Sequence, residues 1–184
     1  NVVSSAGQVT FLGANTTGGL LFSYATVTSS AGITVRSPQM DFSVTTFNGP
    51  GPVVLEPLSN AFGVALDTNG LTLNSNITAL RVGKDVNGST AQNTANVWIR
   101  NASVTSGTTT ANSTKIAGPI DIFGGNITLT SHLENTVTTA GKNEILLKAT
   151  GNILQDLGYT TKTANGDIVF WSNADGVTDG NIIT

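Results

Sequence analysis

Residues 173–181, Asn-Ala-Asp-Gly-Val-Thr-Asp-Gly-Asn, form the densest acidic site in the sequence and add two asparagine side chains to its two aspartates. Hard cations such as Ca²⁺ bind carboxylate and amide oxygens of this kind. The spacing matches neither the EF-hand loop nor the Gly-Gly-x-Gly-x-Asp repeat, and Asp and Asn also bond the backbone N–H groups of ordinary turns. A turn is therefore the alternative, and no other cofactor is predicted. The candidate calcium ligands are Asn173, Asp175, Asp179 and Asn181.

Acid–base catalysis has few candidates in this sequence. Enzymes that cleave polysaccharides need at least two carboxyl groups on one face. Here the acidic residues outside 173–181 are scattered, Asp121 stands alone in its strand pattern, and the one histidine, His132, lies in Ser-His-Leu. No Gly-x-Ser-x-Gly motif that would present a serine nucleophile occurs. We therefore expect a protein that is not an enzyme and has no catalytic residue.

Six Asn-x-Ser/Thr triplets and several threonine arrays are open to more than one interpretation. The triplets fit the motif for N-glycosylation, but a chain this rich in Asn and Thr produces them by composition, so we interpret them as turn and ladder residues. Arrays such as Thr26-Val-Thr28 would suit an ice-binding face only if they recurred at a regular period, which they do not. The triplets begin at Asn15, Asn76, Asn87, Asn101, Asn112 and Asn126.

Short strands that recur along the chain must position these residues. Apolar residues alternate within each strand, and pairs of them recur at offsets of 23 and 25 residues. A period in the low twenties combined with this alternation indicates units that stack on one another. The pairs are Val97/Ile99, Ile120/Ile122, Ile145/Leu147 and Ile168/Phe170.

Similar apolar pairs extend towards the N-terminus, so that about eight units span the chain. Gly-Asn or Gly-Asp precedes Ile four times, and such dipeptides suit corners because Gly tolerates positive φ and the Asn or Asp side chain bonds the turning backbone. An antiparallel sandwich would also contain many short strands, but it would not keep one offset. We therefore predict an all-β protein, a parallel β-solenoid of about eight coils. The further pairs are Val9/Phe11, Ile33/Val35, Val53/Leu55 and Leu71/Leu73, with a second strand position at Ala102/Val104, Ile127/Leu129 and Ile153.

The N-terminal third is less regular than the remainder. Pro38, Pro50, Pro52 and Pro57 lie close together, and proline cannot donate to a central ladder, so we expect loops or edge excursions there. Residues 1–60 are predicted to form an irregular β region, either N-terminal coils or a cap. Residues 61–184 are predicted to form the regular repeats of one continuous domain.

Composition favours β-structure and excludes several classes of partner. Thr, Asn and Ser supply about a third of the 184 residues, and all three form helices poorly. The formal net charge is −3 and the eight Lys and Arg are scattered, which argues against binding to nucleic acid or an anionic membrane. No apolar run approaches the roughly 20 residues of a membrane span. The chain has no cysteine and opens without a signal-peptide pattern, so we expect a segment of a longer chain.

The outward positions of the strands form a possible contact surface. If the apolar pairs point inwards, the residues between and after them point outwards, close to one stripe, and exposed aromatic patches often mark binding sites. The alternatives are that another part of the protein covers the stripe, or that the register slips locally. The stripe consists of Trp98, Phe123, Leu146, Val169 and Trp171.

Five segments resemble repeats of large bacterial surface proteins of the filamentous-haemagglutinin-like type. They are Ile77-Thr-Ala-Leu-Arg-Val-Gly-Lys84, Ala95-Asn-Val-Trp-Ile-Arg-Asn-Ala-Ser103, Ile116-Ala-Gly-Pro-Ile-Asp-Ile-Phe-Gly-Gly-Asn-Ile-Thr-Leu129, Ile145-Leu-Leu-Lys-Ala-Thr-Gly-Asn-Ile153 and Asn165-Gly-Asp-Ile-Val-Phe-Trp171. The resemblance covers about residues 71–182. It implies a right-handed parallel β-helix in a secreted or cell-surface bacterial adhesin.

The expected function is therefore that of a structural and adhesive stalk. Its partners would be a host or neighbouring-cell surface, through a glycan or a protein, and flanking β-helix coils of the same chain. A carbohydrate-binding or carbohydrate-cleaving β-helix, including phage-tail-like proteins, is the first alternative, and an ice-binding solenoid is the second. The Asn-Pro-Asn-Gly motif of secretion domains in this family is absent from the sequence, which leaves the export route open.

Overall fold

Short runs of alternating apolar and polar residues form β-strands along the whole chain, as the composition predicts. The computed structural model describes residues 1–13, 18–85, 93–105, 107–177 and 179–184. Within these ranges the regular secondary structure consists of β-strands, so the all-β prediction is confirmed. No helix long and apolar enough to cross a membrane occurs in the described residues.

In the described residues, 23 strands belong to five sheets, here named A to E. Sheet A contains β1 (Val2–Ser4), β4 (Thr26–Ser29), β7 (Thr45–Asn48), β10 (Leu71–Asn74), β13 (Ala102–Thr105) and β14 (Thr108–Thr110). Sheet B contains β2 (Val9–Leu12), β5 (Ile33–Arg36), β8 (Pro52–Glu56), β11 (Ala79–Val82), β16 (Ile120–Gly124), β19 (Ile145–Ala149) and β22 (Ile168–Trp171).

The remaining three sheets are smaller. Sheet C contains β3 (Gly19–Ser23) and β6 (Gln39–Ser43). Sheet D contains β9 (Leu66–Asp67), β12 (Val97–Ile99), β17 (Ile127–Leu129), β20 (Ile153–Gln155) and β23 (Ile182–Ile183). Sheet E contains β15 (Ser113–Ile116), β18 (His132–Asn135) and β21 (Thr161–Thr163).

The chain visits these sheets in rotation. Strands β1 to β6 run twice through sheets A, B and C, and β7 to β12 run twice through sheets A, B and D. After β13 and β14, sheet E takes the place of sheet A, and the order E, B, D repeats to β23. Among the described strands all pairings are parallel except the antiparallel pair of β13 and β14.

The strands of sheet B stack in register and form two apolar columns. Every position in both columns is apolar, and the central members are fully buried. Each buried Ile or Leu side chain contributes about 1.5–3 kcal/mol to the free energy of unfolding. One column is Val9, Ile33, Val53, Leu80, Ile120, Ile145 and Ile168, and the other is Phe11, Val35, Leu55, Val82, Ile122, Leu147 and Phe170.

The columns confirm the stacking of Ile120, Ile145 and Ile168 and correct the prediction for Val97. The strand that precedes β16 in sheet B is β11, whereas Val97 and Ile99 belong to β12 and pair with Ile127 and Leu129 in sheet D. Leu71 and Leu73 likewise belong to sheet A. The offset of 23 residues from Val97 to Ile120 wrongly indicated neighbouring strands, because the β13–β14 hairpin and β15 lie between β12 and β16. Sheet B therefore has seven strands rather than eight.

The N-terminal strands of sheets A and B share these sheets with later strands, whereas β3 and β6 form sheet C. Strands β2, β5 and β8 continue directly into β11 of sheet B. Pro52, which was expected in a loop, is the first residue of β8, a position where the missing N–H is tolerated. Phenylalanine rings fill the adjoining core: Phe22 stacks on Phe42 with 5.5 Å between ring centroids, and both meet Phe47 edge-on.

Close backbone approach explains why glycine occupies the predicted corners. A Cβ atom at Gly125 would clash with the carbonyl oxygen of Thr94, and one at Gly166 would clash with the carbonyl oxygen of Asn143. Neither glycine has the positive φ that the sequence suggested. These corners thus require glycine for space, because successive passes of the chain touch there.

Candidate functional site

The exposed face of sheet D carries the first candidate site. Side chains alternate across a strand, so Trp98 faces solvent while Val97 and Ile99 are buried. Thr128, Leu154 and Ile183 occupy the positions in register with Trp98 on the three following strands. These four residues form one straight column, here called the Trp98 column.

An asparagine ladder runs beside the Trp98 column, formed by Asn96, Asn126, Asn152 and Asn181. The Oδ1 atom of Asn96 accepts hydrogen bonds from the backbone N and the Nδ2 of Asn126, at 3.0 and 3.1 Å. The Oδ1 of Asn126 accepts from the backbone N of Asn152 at 2.8 Å, and the Oδ1 of Asn152 accepts from the backbone N of Asn181 at 2.8 Å. Each amide thus bonds the next strand, which fixes the ladder in one orientation.

A groove of about 300 Å³ lies along these two rows. None of the described residues that line it carries a charged side chain. We call it the Trp98 groove, and its main lining residues are Asn96, Trp98, Asn126, Thr128, Asn152 and Leu154.

Trp98 is held in place by an ion pair beside it. The guanidinium of Arg100 lies 5.5 Å from the centre of the Trp98 ring. The Nε of Arg100 donates to the Oδ1 of Asp67 at 3.0 Å, and the second Asp67 oxygen contacts the Nη2 of Arg100. The charges of Arg100 and Asp67 balance each other beside the indole. The Trp98 side chain is 37% exposed.

A second cluster lies on the outward side of sheet B. The Nζ of Lys148 lies 2.7 Å from the Oδ1 of Asp85 and 4.7 Å from the centre of the Trp171 ring. Lys148 is 6% exposed, whereas half of the Trp171 surface is accessible. A buried ammonium needs such a partner, because desolvation of an unpaired charge is costly.

Phe123 does not belong to an exposed stripe, contrary to the prediction. Its position is in register with Lys148 and Trp171, yet it is only 6% exposed. Gly83 packs against the Phe123 backbone and side chain, and the Nδ2 of Asn93 donates to the Phe123 carbonyl oxygen at 2.7 Å. These contacts come from residues that are distant in the sequence, and a local alternation pattern cannot show them.

The predicted stripe is also divided between two sheets. Leu146 and Val169 are neighbours in sheet B, and Trp171 follows Val169 on the same strand. Trp98 belongs to β12 in sheet D, so it is not continuous with these residues. The prediction of one stripe was wrong because it placed β12 in the column of sheet B. The structure therefore presents two separate aromatic surfaces in place of one.

Asp121 lies on the outward side of sheet B, in register with Arg81 and Leu146. Burial raises the pKa of Asp121 above its ordinary value. The positive charge of Arg81 opposes this rise, and the carboxylates of Glu144 and Asp85 add to it. Arg81 is itself engaged by Glu56, with 3.0 Å between its Nη2 and the Glu56 Oε1.

Among the contacts of the described residues, the His132 imidazole meets Thr160 and Tyr159. Its Nδ1 lies 3.0 Å from the Oγ1 of Thr160, and its ring meets that of Tyr159 edge-on at 5.4 Å. No carboxylate of the described chain orients this imidazole, so the arrangement differs from that of a catalytic histidine.

The calcium candidates have the roles of turn and ladder residues. Asp175 Oδ1 accepts a hydrogen bond from the backbone N of Val177 at 3.1 Å, and Asn173 adopts a positive φ of 54°. Asn181 belongs to the asparagine ladder. In the part of the chain that the structure describes, no three acidic or histidine side chains group as metal ligands. Calcium binding by Asn173, Asp175, Asp179 and Asn181 stays a prediction.

The Asn-x-Ser/Thr triplets occupy different environments. Asn101 is buried and donates through its Nδ2 to the carbonyl oxygen of Leu71, and Asn126 is part of the ladder. Asn76 and Asn112 are exposed. Asn15 and Asn87 lie outside the described residues. The structure thus supports ladder or backbone-bonding roles for Asn101 and Asn126.

The Trp98 groove was not predicted as a site, although its components left a signal. Gly-Asn-Ile recurs at residues 125–127, 151–153 and 180–182, and Ala-Asn-Val stands at 95–97. This recurrence marks the ladder, but the sequence alone assigns Trp98 to the wrong neighbours. Comparison with protein families, with curated proteins and with solved structures gives no match for this chain.

Proposed function

We propose that the chain is a right-handed parallel β-helix and serves as a structural and adhesive segment of a secreted or cell-surface bacterial protein. It acts without catalysis, as a stalk that carries contact surfaces to a host or neighbouring cell.

The rotation of the chain through its sheets is the observation that carries this proposal. The described chain returns to its sheets in rotation, through A, B and C, then A, B and D, then E, B and D, and its strands pair parallel and in register except for β13 with β14. This order supports a solenoid. The unbroken apolar columns of sheet B would supply its continuous core. An antiparallel sandwich does not produce this order.

The terminal strands support a position within a longer rod. Strand β22 is the last strand of sheet B, and β23 is the last strand of sheet D. Ile168 continues a core column, yet 43% of its surface is exposed, and Ile182 in sheet D is similarly exposed. An open edge with exposed apolar residues is a template for another parallel strand. We assign flanking coils of the same protein as the partners of these edges.

The exposed aromatic residues support the adhesive part of the proposal. Trp98 and Trp171 are both well exposed, on separate sheets, and each has a cation beside its ring. Tryptophan is enriched among residues that dominate binding energy at contact surfaces. The low net charge disfavours a polyanionic partner.

Asp121 supports carbohydrate cleavage as a second candidate function. A carboxyl group with a raised pKa close to other carboxylates resembles the general acid of a glycosidase. An assay for release of reducing sugar from polysaccharides, compared between the protein and Asp121→Asn, distinguishes this function. Activity that depends on Asp121 would replace the adhesive proposal.

Bead attachment tests the adhesive function. Latex beads that carry the folded protein are applied under flow to epithelial and bacterial cell layers, next to beads blocked with an inert protein of similar charge. We expect the coated beads to remain attached at least severalfold more often. Equal attachment of the two bead types to every cell layer would overturn the proposal.

A further inference from the structure

We propose that the Trp98 groove on sheet D binds an uncharged saccharide. This inference rests on the proposed adhesive function and names the ligand class and the site.

The shape of the groove follows from parallel, in-register strands. Successive strands of a sheet are about 4.8 Å apart, so Trp98, Thr128, Leu154 and Ile183 follow one another at this spacing. The asparagine ladder forms the second row at the same spacing. Two straight rows with a common repeat suit an extended ligand built from similar units, as an oligosaccharide is.

The apolar row suits the C–H faces of sugar rings. Trp98 offers a flat and polarizable surface, and Leu154 and Ile183, which follow Thr128 in the same column, are aliphatic. The Arg100–Asp67 ion pair holds the indole in position before a ligand arrives. A preorganised aromatic anchor loses little conformational entropy on binding.

The polar row suits sugar hydroxyl groups. The ladder uses the Oδ1 atoms of Asn96, Asn126 and Asn152 as acceptors. The Nδ2 atoms of Asn96 and Asn152 meet no acceptor in the described part of the chain and can donate to a ligand. Thr128, in the facing row, adds a hydroxyl group. Because the ladder fixes the orientation of each amide, these donors are ordered in advance.

The described lining of the groove is uncharged, which favours a neutral saccharide over a sulfated or carboxylated one. The lining residues are all neutral, and the nearest ion pair is internally balanced. A sulfated or carboxylated sugar would lose hydration here without gaining an ion pair, which is unfavourable. A neutral sugar meets hydrogen-bond donors and apolar surface, the usual composition of small-ligand sites.

The test uses the folded protein and a panel of defined probes. Neutral pentasaccharides of glucose, galactose, mannose and N-acetylglucosamine, and a sulfated heparin pentasaccharide, are titrated while tryptophan fluorescence and binding heat are recorded. We expect at least one neutral probe to bind more tightly than the sulfated one. Failure of every neutral probe to bind, or tighter binding of the sulfated probe, would overturn the proposal.

Matched variants locate the site. Leu157→Ala is the control for Trp98→Ala, because Leu157 is exposed and does not line the Trp98 groove. We expect Trp98→Ala to weaken binding of the neutral probe about tenfold, and Leu157→Ala to leave binding unchanged. Thr128→Arg blocks the groove while keeping Trp98, and should have a comparable effect. Unfolding curves confirm that each variant is folded.

The results separate the groove from the wider adhesive function. If beads attach to cells but neither Trp98→Ala nor Thr128→Arg changes saccharide binding, the groove assignment is wrong while the adhesive proposal stands. If a neutral saccharide binds through the groove but coated beads do not attach, the groove stands and the adhesive proposal fails.

Discussion

The Nζ atom of Lys148 lies 2.7 Å from the Oδ1 atom of Asp85, although the two residues are 63 positions apart. Lys148 belongs to β19, and Asp85 follows β11 after a short turn. The pair therefore links the segment that follows β11 to a side chain of β19, which is two strands away from β11 in sheet B.

Replacement of Asp85 by Asn should lower the free energy of unfolding by about 2 kcal/mol. The ammonium of Lys148 would stay buried without its counter-charge, and breaking a fully buried pair costs about 3–5 kcal/mol. The expected loss is smaller because 27% of the Asp85 side chain is exposed. Urea denaturation measures it. Lys148→Met is the control, with a milder effect because water can solvate the remaining carboxylate, and equal losses in both variants would contradict this explanation.

Replacement of Asn126 by Ala should lower the free energy of unfolding by about 1–2 kcal/mol. The change removes one rung of the asparagine ladder and leaves the backbone N–H of Asn152 without its acceptor. Asn76→Ala is the matched control, because Asn76 is exposed and its side chain bonds no other described residue. Guanidinium unfolding curves compare the two variants, and similar midpoints would show that the ladder is not stabilising.

The raised pKa of Asp121 predicts a pH-dependent effect of Asp121→Asn. A carboxyl group whose pKa is higher in the folded state favours folding when protonated and opposes it when ionised. Its favourable contribution is present below the ordinary value of 3.8 and is lost as pH rises through the folded-state pKa. Asp121→Asn should therefore raise the melting temperature at pH 7 relative to the wild type, and this advantage should shrink towards pH 3.8.

Calorimetry between pH 3.5 and 7.5 tests this sign, with the pH range chosen around the ordinary pKa. Asp41→Asn, at an exposed position of sheet C, controls for the loss of one negative charge. A lower melting temperature of Asp121→Asn at pH 7 would mean that the attraction of Arg81 outweighs burial.

Pairs of introduced cysteines test the register, since the chain has none of its own. In-register residues on parallel strands are about 4.8 Å apart, within the 4.4–6.8 Å that a disulfide spans. Leu146→Cys with Val169→Cys, and Thr128→Cys with Leu154→Cys, should form disulfides under mild oxidation. Trp98→Cys with Leu146→Cys should not, because these residues belong to different sheets. Mass spectrometry after non-reducing digestion gives the answer, and a disulfide in the third pair would contradict the strand assignment.

The sequence is sufficient to predict that the chain forms β-strands and to predict which strands stack in part of sheet B. Ile120, Ile145 and Ile168 were placed in one column by their offsets, because no insertion separates their strands in sheet B. Val97 was misplaced because apolar alternation looks the same in sheets B and D. The hairpin of β13 and β14 also lengthens the chain between β11 and β16, which conceals the true neighbour of Ile120.

The candidate sites were less predictable than the fold, since they depend on contacts between distant segments. Phe123, which is buried, contacts Gly83 and Asn93, and Lys148, which is also buried, pairs with Asp85. Neither contact leaves a local pattern. Recurring Gly-Asn-Ile did mark the asparagine ladder, but only the register shows that Trp98 stands beside it.

The in-register columns of sheet B also set how stability varies along the chain. Each inner strand there bonds to two neighbours, whereas the edge strands β2 and β22 bond to one. Protection of the backbone amides from hydrogen exchange should therefore decrease towards the edges. Amide hydrogens of β16, between β11 and β19, should exchange with deuterium slowest, whereas those of β22 should exchange soonest within the sheet. Unfolding would then begin by fraying at this edge, and a flanking strand that covered it would slow the whole process.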